Sequence, residues 1–477
     1  MLEERRTIWK RFLVGGLLIL FAAGSATGVA AFHEIDKVVN AFKHGNTIEL
    51  PNDLQAADNG KPQTILLIGA DQRAPGAADY HAGARSDTMM LVRLDPKKRA
   101  TTLMSLPRDL KVRIPGHGVK KLNEAYSEGG VRLTVKTIKR LTGLGINHVV
   151  NIDFRGFRKA INALHCVYVD VDRRYYNQSG AYAKIDIKPG YQEICGETAL
   201  DYVRYRHTDT DIVRAARQQD FLRQLKQQIG VNRLIANRDR LIHIFGQYTQ
   251  SDIGSRTAVL RLLNLVIGSA SHPIHEIHFS AKLGPSYVTA SAATVHKLAE
   301  EFLGATLPKS PAAARAERKR RKHAKRSSGL VDASAMGKQL ALQLVAEGSR
   351  GIRLYYPRAL PPGAQFVSPA RAYTIKSTTH RRVQAYRFVI SIGSTTGRLG
   401  EFIGFQGLTW KSPPILRSPS ATRRIGHQTY LLFRDGARTR LVAWRSDNAV
   451  YWVSNSLSEL LSERQLLAIA RAARPLG

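Results

Sequence analysis

Thr64-Ile-Leu-Leu-Ile-Gly69 reads as a short apolar strand that ends at Asp71. Two more strands follow, Thr88 to Leu94 (TMMLVRL) and Thr101 to Leu106 (TTLMSL). Val131 to Leu141 switches to helical spacing and stops at Gly143. His148 to Ile152 is a strand, Phe157 to Leu164 a helix and Val167 to Val171 a strand. Helical periodicity returns at 211–230, 232–246 and 256–268, His275 to Phe279 is a late strand, and Ala292 to Phe302 closes the region as a helix. Strands alternating with helices predict an α/β (α+β) domain, a central mixed β-sheet flanked by helices.

Within this region Arg204-Tyr-Arg206-His-Thr-Asp-Thr-Asp211-Ile-Val-Arg214-Ala-Ala-Arg217-Gln218-Gln219 packs four arginines, two aspartates and two glutamines into sixteen residues. If Asp211 caps a helix, Arg214 and Gln218 follow at i+3 and i+7 on one face. Arg204 and Arg206 share a face if that segment is extended. Ile212, Ala215, Leu222, Leu225 and Ile229 recur at helical intervals and are expected to pack inward. Arginine forks among a few carboxylates suit phosphate or pyrophosphate, because each guanidinium grips two oxygens at once. The plainer alternative is a set of structural salt bridges.

The chain has 477 residues, 72 basic against 37 acidic, and a formal net charge of +35. Such a balance implies an acidic partner: nucleic acid, an anionic membrane surface or an acidic polymer. The N-terminus narrows the choice. Arg5, Arg6, Lys10 and Arg11 precede the uncharged run Phe12 to Phe32, which as a helix would be about 30 Å long, enough to span a bilayer. Basic residues on the short side place the N-terminus in the cytoplasm and the rest of the chain outside. A cleaved signal peptide is the rival reading. Either way the main domain is exported, so no nucleic acid is expected as a partner.

Cys166 and Cys195 are the two cysteines of the chain. An exported location permits a disulfide between them, worth roughly 3.6 kcal/mol in the chain-entropy model; the alternative is two buried thiols. The pattern along the chain predicts a cytoplasmic N-terminus (1–11), a transmembrane helix (12–32), a juxtamembrane connector (33–62), an α/β domain (63–305), a basic linker (306–329) and a smaller C-terminal α+β domain (330–477). Arg315 to Arg326, with eight basic residues and one acidic, reads as a self-repelling tether. The C-terminal part carries no catalytic constellation in its sequence.

Other charged segments border the predicted strands. Arg85-Ser-Asp87-Thr88 precedes one and Leu106-Pro-Arg108-Asp109 follows another, and sites on α/β folds gather at strand ends. Asp71 and Asp87 sit at the ends of neighbouring strands, so two carboxylates could converge on one hard cation, for which Mg²⁺ is suited. Lys120-Lys121-Leu-Asn123-Glu-Ala-Tyr126, with Gly129-Gly130 behind it, either reaches a second phosphate or forms an exposed loop. Walker, dinucleotide, HExxH, paired CxxC and G-x-S-x-G motifs are absent from the sequence, so redox, ATP-driven and serine-hydrolase chemistry have no support.

Asp71, RSDT (85–88), SLPRD (105–109), KLNEAY (121–126) with Gly129-Gly130, GETALDYVRYR (196–206) and DIVRAARQQ (211–219), in that order, resemble the LytR-CpsA-Psr domain over about residues 63–305. The resemblance implies a membrane-anchored extracellular enzyme that moves a glycopolymer from a polyprenyl-pyrophosphate carrier onto peptidoglycan. By matching position it implies Mg²⁺ on Asp71 and Asp87. It implies phosphate binding by Arg85, Arg108, Lys121, Arg204, Arg206, Arg214 and Gln218, with Arg108 close to the reacting phosphorus. Asp109 and Asp211 would orient these arginines. His165-Cys166-Val167 stands where the family usually has Gly-Gly-Val, a departure that a Cys166–Cys195 bridge would explain. Three readings compete: a transferase to peptidoglycan, a hydrolase of lipid pyrophosphate at the same site, and a wall-polymer-binding or regulatory protein without chemistry.

Overall fold

The computed structural model describes residues 48–50, 52–56, 58, 60–70, 86–97, 100–178, 184–205, 209–229, 237–253, 265, 274–279, 281–304, 329–349, 351–392, 400–435 and 438–476, a few of their side chains excepted. The expected membrane span at 12–32, Asp71, Arg85, Arg206 and most of the basic linker lie outside these residues. Among the described residues no helix is long and apolar enough to cross a membrane.

The chain divides into two compact units, and neither is one stretch of sequence. The first takes the chain up to Val167, then Cys195–Arg204 and Arg214–Thr306. It is built on β1 (Gln63–Ala70), β2 (Ser86–Asp95) and β3 (Ala100–Leu106), a small hairpin of β4 (Lys111–Ile114) and β5 (Gly118–Lys121), and β6 (His148–Asp153). β7 (Val167–Val171), β8 (Tyr175–Asn177), β9 (Ile185–Ile187) and β10 (Gly190–Ile194) leave this unit, and β11 (Thr249–Ser251) and β12 (Ile274–Ile277) return to it. The main sheet runs β11-β6-β1-β2-β3-β12. β1 pairs with β6 and β3 with β12 in parallel, while β2 and β11 run antiparallel, so the sheet is mixed as expected.

Its strands are buried on both faces. Leu66, Ile68, Met89, Leu91, Met104 and Leu106 belong to one core together with helix residues Val135, Ile138, Leu298 and Phe302, and the alternate residues Ile65, Val92 and Leu103 are buried as well. This two-sided burial is why the strands read as continuous apolar runs.

The helices are α1 (Glu124–Thr142), α2 (Phe154–Ala163), α3 (Gly196–Arg204), α4 (Asp211–Gln228), α5 (Arg238–Tyr248) and α6 (Ala292–Leu303). α1 breaks at Gly129-Gly130, where Gly130 takes φ 60°, so its regular part begins at Val131 and ends on Gly143 at φ 70°, as the spacing predicted. Lys120–Tyr126 is not an exposed loop: it closes β5 and opens α1, with Leu122, Ala125 and Tyr126 buried.

The second unit joins Tyr168–Ile194 and Tyr205–Val213 to the chain from Leu307 onward. Its frame is a seven-stranded antiparallel sheet, in spatial order Gln365–Lys376, Arg382–Ser391, Phe402–Leu408, Ala449–Ser454, Arg438–Ser446, Gln428–Asp435 and Ala421–Ile425. Helices Ser334–Ala346 and Glu463–Ala472 pack with Tyr386, Phe388, Ile390, Phe405 and Tyr451 in one core. Tyr168 and Tyr191, from β7 and β10, pack with Ala385, Leu408, Leu441 and Trp452 in another. On that side Asp170 is buried against Arg387 at 2.9 Å and accepts from the Trp452 indole at 3.3 Å.

Candidate functional site

The strand register brings the end of β1, the start of β2 and the end of β3 to one end of the main sheet: Gly69 lies opposite Thr88 and Met89 opposite Leu106. Asp87 stands in the first residues of β2, and Arg108 comes two residues beyond β3. The parallel partner of β1 ends there too, because Ala70 lies opposite Asp153.

The Pro107–Leu110 turn is fixed by backbone bonds. The Leu110 amide donates to the Pro107 carbonyl at 3.1 Å, the Asn123 amide to the Arg108 carbonyl at 2.9 Å, and the Val288 amide to the Asp109 carbonyl at 2.9 Å. Arg108 is thereby held in a buried position with its Nε 3.7 Å from Asp109 Oδ1. The same carboxylate oxygen lies 3.5 Å from Lys121 Nζ. One carboxylate therefore lies near two cations. Lys121 also lies over the Tyr287 ring at 5.9 Å, and Lys111 over the same ring at 5.5 Å.

α3 and α4 bring the second group of residues. The Gln218 amide donates to Thr88 Oγ1 at 2.9 Å and to the Val203 carbonyl at 3.1 Å, tying the middle of α4 to the start of β2 and the end of α3. Arg204 is the last residue of α3, and its guanidinium lies over the Phe154 ring at 3.9 Å. Phe154 opens α2, whose N-cap Asp153 accepts from the Gly156 amide at 2.7 Å. Arg214, one helical turn before Gln218, is buried.

The far ends of α2 and α3 are stapled by the disulfide Cys166–Cys195, with Cα atoms 4.4 Å apart. Gly196 follows it, and a side chain there would collide with the Arg158 carbonyl at 2.4 Å. His165 and Cys166 adopt φ of 60° and 62°, the left-handed region that favours glycine. These are the positions where the family usually has Gly-Gly, so this chain keeps the turn and adds a covalent link.

Three expectations need correcting. Asp211 is not the cap: Thr210 Oγ1 accepts from the Val213 amide at 3.2 Å, and Asp211 is the first helical residue, half-buried. Arg204 is helical rather than extended, and Arg206 lies outside the described residues. The apolar residues of α4 expected to pack inward are not its most buried ones; among the apolar residues Val213, Ala216 and Phe221 are buried instead. Ile212, Ala215, Leu222, Leu225 and Ile229 are half-buried, whereas Arg214, Arg217, Gln218, Gln219, Asp220, Arg223 and Gln224 are buried. Hydrogen bonding reverses the pattern: Gln219 donates to the Ile277 carbonyl at 3.3 Å, and Arg223 is paired with Asp220 and Glu276.

Thr88, Phe154 and Tyr287 were not singled out from sequence for these roles. Thr88 carried a signal, being the last residue of the RSDT segment. Phe154 and Tyr287 carried none, since an aromatic at a helix start or in a loop is ordinary. Arg217, fully buried over the Tyr202 ring at 5.6 Å, lay inside the arginine stretch but was given no role.

A mixed α/β sheet that collects arginine, lysine and amide groups at one edge defines a domain suited to binding an anionic ligand at its strand ends. The chain belongs to the LytR_cpsA_psr family, whose model matches residues 27–303. It is 30% identical over 261 residues to the polyisoprenyl-teichoic acid–peptidoglycan teichoic acid transferase TagT of Bacillus subtilis, spanning 53% of this chain and 80% of that protein. The transferase TagU of Enterococcus faecalis is 30% identical over 245 residues, 50% of this chain and 78% of that protein. Among solved structures, Bacillus subtilis TagV is 30% identical over 52% of this chain and 100% of that one, with a TM-score of 0.41.

Proposed function

We propose that this protein is a phosphotransferase that moves a glycopolymer from a polyprenyl-pyrophosphate carrier to peptidoglycan. The observation that carries this reading is the shared Asp109 carboxylate, which lies near buried Arg108 and Lys121 at the strand edge where Gln218 fastens α4. Related proteins named as teichoic acid transferases support it. Phosphoryl transfer asks little covalent help of a protein and much charge neutralisation and positioning. Arg108, Lys121, Arg204, Arg214 and Gln218, together with Arg85 and Arg206, would hold the pyrophosphate oxygens. The oxygen of an acceptor hydroxyl then bonds to the phosphorus next to the sugar while its proton passes to solvent, the bond to the bridging oxygen breaks, and polyprenyl phosphate leaves.

Mg²⁺ is part of the proposal. By their places in the sequence, Asp87 at the start of β2 and Asp71 just after β1 would supply hard carboxylate oxygens, the donor type that suits Mg²⁺ alongside phosphate oxygens. Bound there, the ion would supply charge neutralisation on the pyrophosphate. The run at 12–32 would anchor the chain in the cell membrane as a single span, N-terminus cytoplasmic and main domain extracellular.

The test uses the full chain in detergent with a short polyprenyl-pyrophosphate sugar, Mg²⁺ and peptidoglycan fragments, following polyprenyl phosphate release. Release should depend on the acceptor, and Arg108→Ala should lower it about 10²–10³-fold while lipid still binds. Release that ignores the acceptor would mean a hydrolase. Binding of lipid or polymer without any release would mean a binding protein.

A further inference from the structure

Arg204 and Arg214 bracket the segment Tyr205–Val213, and the described part of that segment is fastened inside the second unit. The Tyr205 ring meets Tyr175 edge-on at 4.9 Å, and its hydroxyl donates to the Tyr176 carbonyl at 3.0 Å. The Asp209 side chain is fully buried and paired with Arg173. That guanidinium lies in turn against three rings, Tyr175 at 4.8 Å, Phe402 at 5.2 Å and Tyr205 at 5.6 Å. Gly400, at φ +84°, packs beside this segment: an added Cβ there would be in ordinary contact with Asp209 Oδ1 at 3.4 Å and Val213 Cγ1 at 3.7 Å.

Phe402 and Gly400 lie beyond the part of the chain that matches the family, which ends at residue 303. The resemblance therefore gives them no role, and it gives none to Arg173. We propose that Arg173 and Phe402 are positioning residues: through Asp209 and Tyr205 they hold the described part of the segment between Arg204 and Arg214, and through the covalent chain they restrain those two arginines. The inference rests on the pyrophosphate-binding reading above.

The physical grounds are specific. A guanidinium is planar and weakly hydrated, so it can sit among aromatic faces while forking toward a carboxylate. The Asp209 side chain is buried, so separating it from the Arg173 guanidinium is costly and the pair holds the segment in place. Arginines held in place before a ligand arrives avoid the cost of ordering them on binding. Arg204 and Arg214 each adjoin this anchored segment directly in the chain, Arg204 beside Tyr205 and Arg214 beside Val213.

The test compares wild-type full chain in detergent with Phe402→Ala, Phe402→Tyr and Arg173→Lys. Geranyl pyrophosphate is the binding probe, and hydrogen exchange across 204–214 reports the segment directly. Phe402→Ala and Arg173→Lys should each bind the probe about ten-fold more weakly and exchange faster across 204–214. Phe402→Tyr, which keeps the ring, should restore both, a rescue that a general loss of folding would not give. Wild-type binding and exchange in both Phe402→Ala and Arg173→Lys would overturn the proposal, as would a Phe402→Tyr protein as impaired as Phe402→Ala. If Phe402→Ala does not fold, Arg173→Lys decides the matter, because it leaves the sheet untouched. If wild type fails to bind the probe, the pyrophosphate reading falls, while exchange across 204–214 still decides whether these residues hold the segment.

Discussion

Gln218 donates through its side-chain amide to Thr88 Oγ1 at 2.9 Å, joining the middle of α4 to the first residues of β2. The same amide donates to the Val203 carbonyl, one residue before Arg204. A single side chain thus sets the distance between the strand that carries Asp87 and the helix end that carries Arg204.

Removing that side chain should loosen both connections. Gln218→Ala leaves the Val203 carbonyl and the Thr88 hydroxyl without this donor, which should cost about 1–3 kcal/mol of stability. Donor binding should weaken along with it. Denaturant midpoints and geranyl pyrophosphate titration measure the two effects, and a variant with both unchanged would remove Gln218 from the site.

Asp87 is expected to confer dependence on Mg²⁺. Asp87→Ala should flatten the response of turnover to a Mg²⁺ titration. A mutant whose activity still rises with Mg²⁺ as wild type does would sink that role.

The Cys166–Cys195 bridge should act through the unfolded chain, whose freedom it limits over a sequence separation of 29 residues. Cys166→Ser should lose about 3 kcal/mol of stability under oxidising conditions. Melting curves of wild type that coincide with and without reductant would rule out a structural bridge.

Lys226, in the last turn of α4, has its pKa pushed down to about 7 by burial. An unfolded lysine titrates near ~10.4, so between about pH 7 and ~10.4 the unfolded chain binds more protons than the folded one. Stability should therefore rise with pH across that window. Lys226→Met should flatten the rise, and identical pH–stability curves for the two proteins would show that Lys226 titrates normally.

The strand ends that border the candidate site were legible in the sequence. Where a strand stops, the register of its neighbours fixes which residues share the edge, and short apolar runs such as Thr64–Gly69 and Thr101–Leu106 announce those stops. Helix α4 was misread for a physical reason. Periodicity assumes that apolar residues turn inward, yet here polar groups are buried because partners await them: Thr88 and two backbone carbonyls for the glutamines, Glu276 for Arg223. Such partners come from remote parts of the chain, and a local window cannot see them.

The sequence by itself determined β1, β2, β3, β6, β7 and β12, the helices α1, α2, α4 and α6, the mixed sheet and, through the two cysteines, the staple beside the Arg204 helix; it did not disclose the β4–β5 hairpin, β8 to β11 or helix α3. Each depends on local pattern, residue chemistry or a count. Only the tertiary structure decided that Tyr168–Ile194 and Tyr205–Val213 belong with the C-terminal sheet. Composition marks a boundary where charge and proline gather. What assigns a segment to a unit is the apolar surface and the buried ion pair it shares with distant strands, as Tyr168, Tyr191, Asp170 and Arg173 do with Trp452, Arg387 and Phe402.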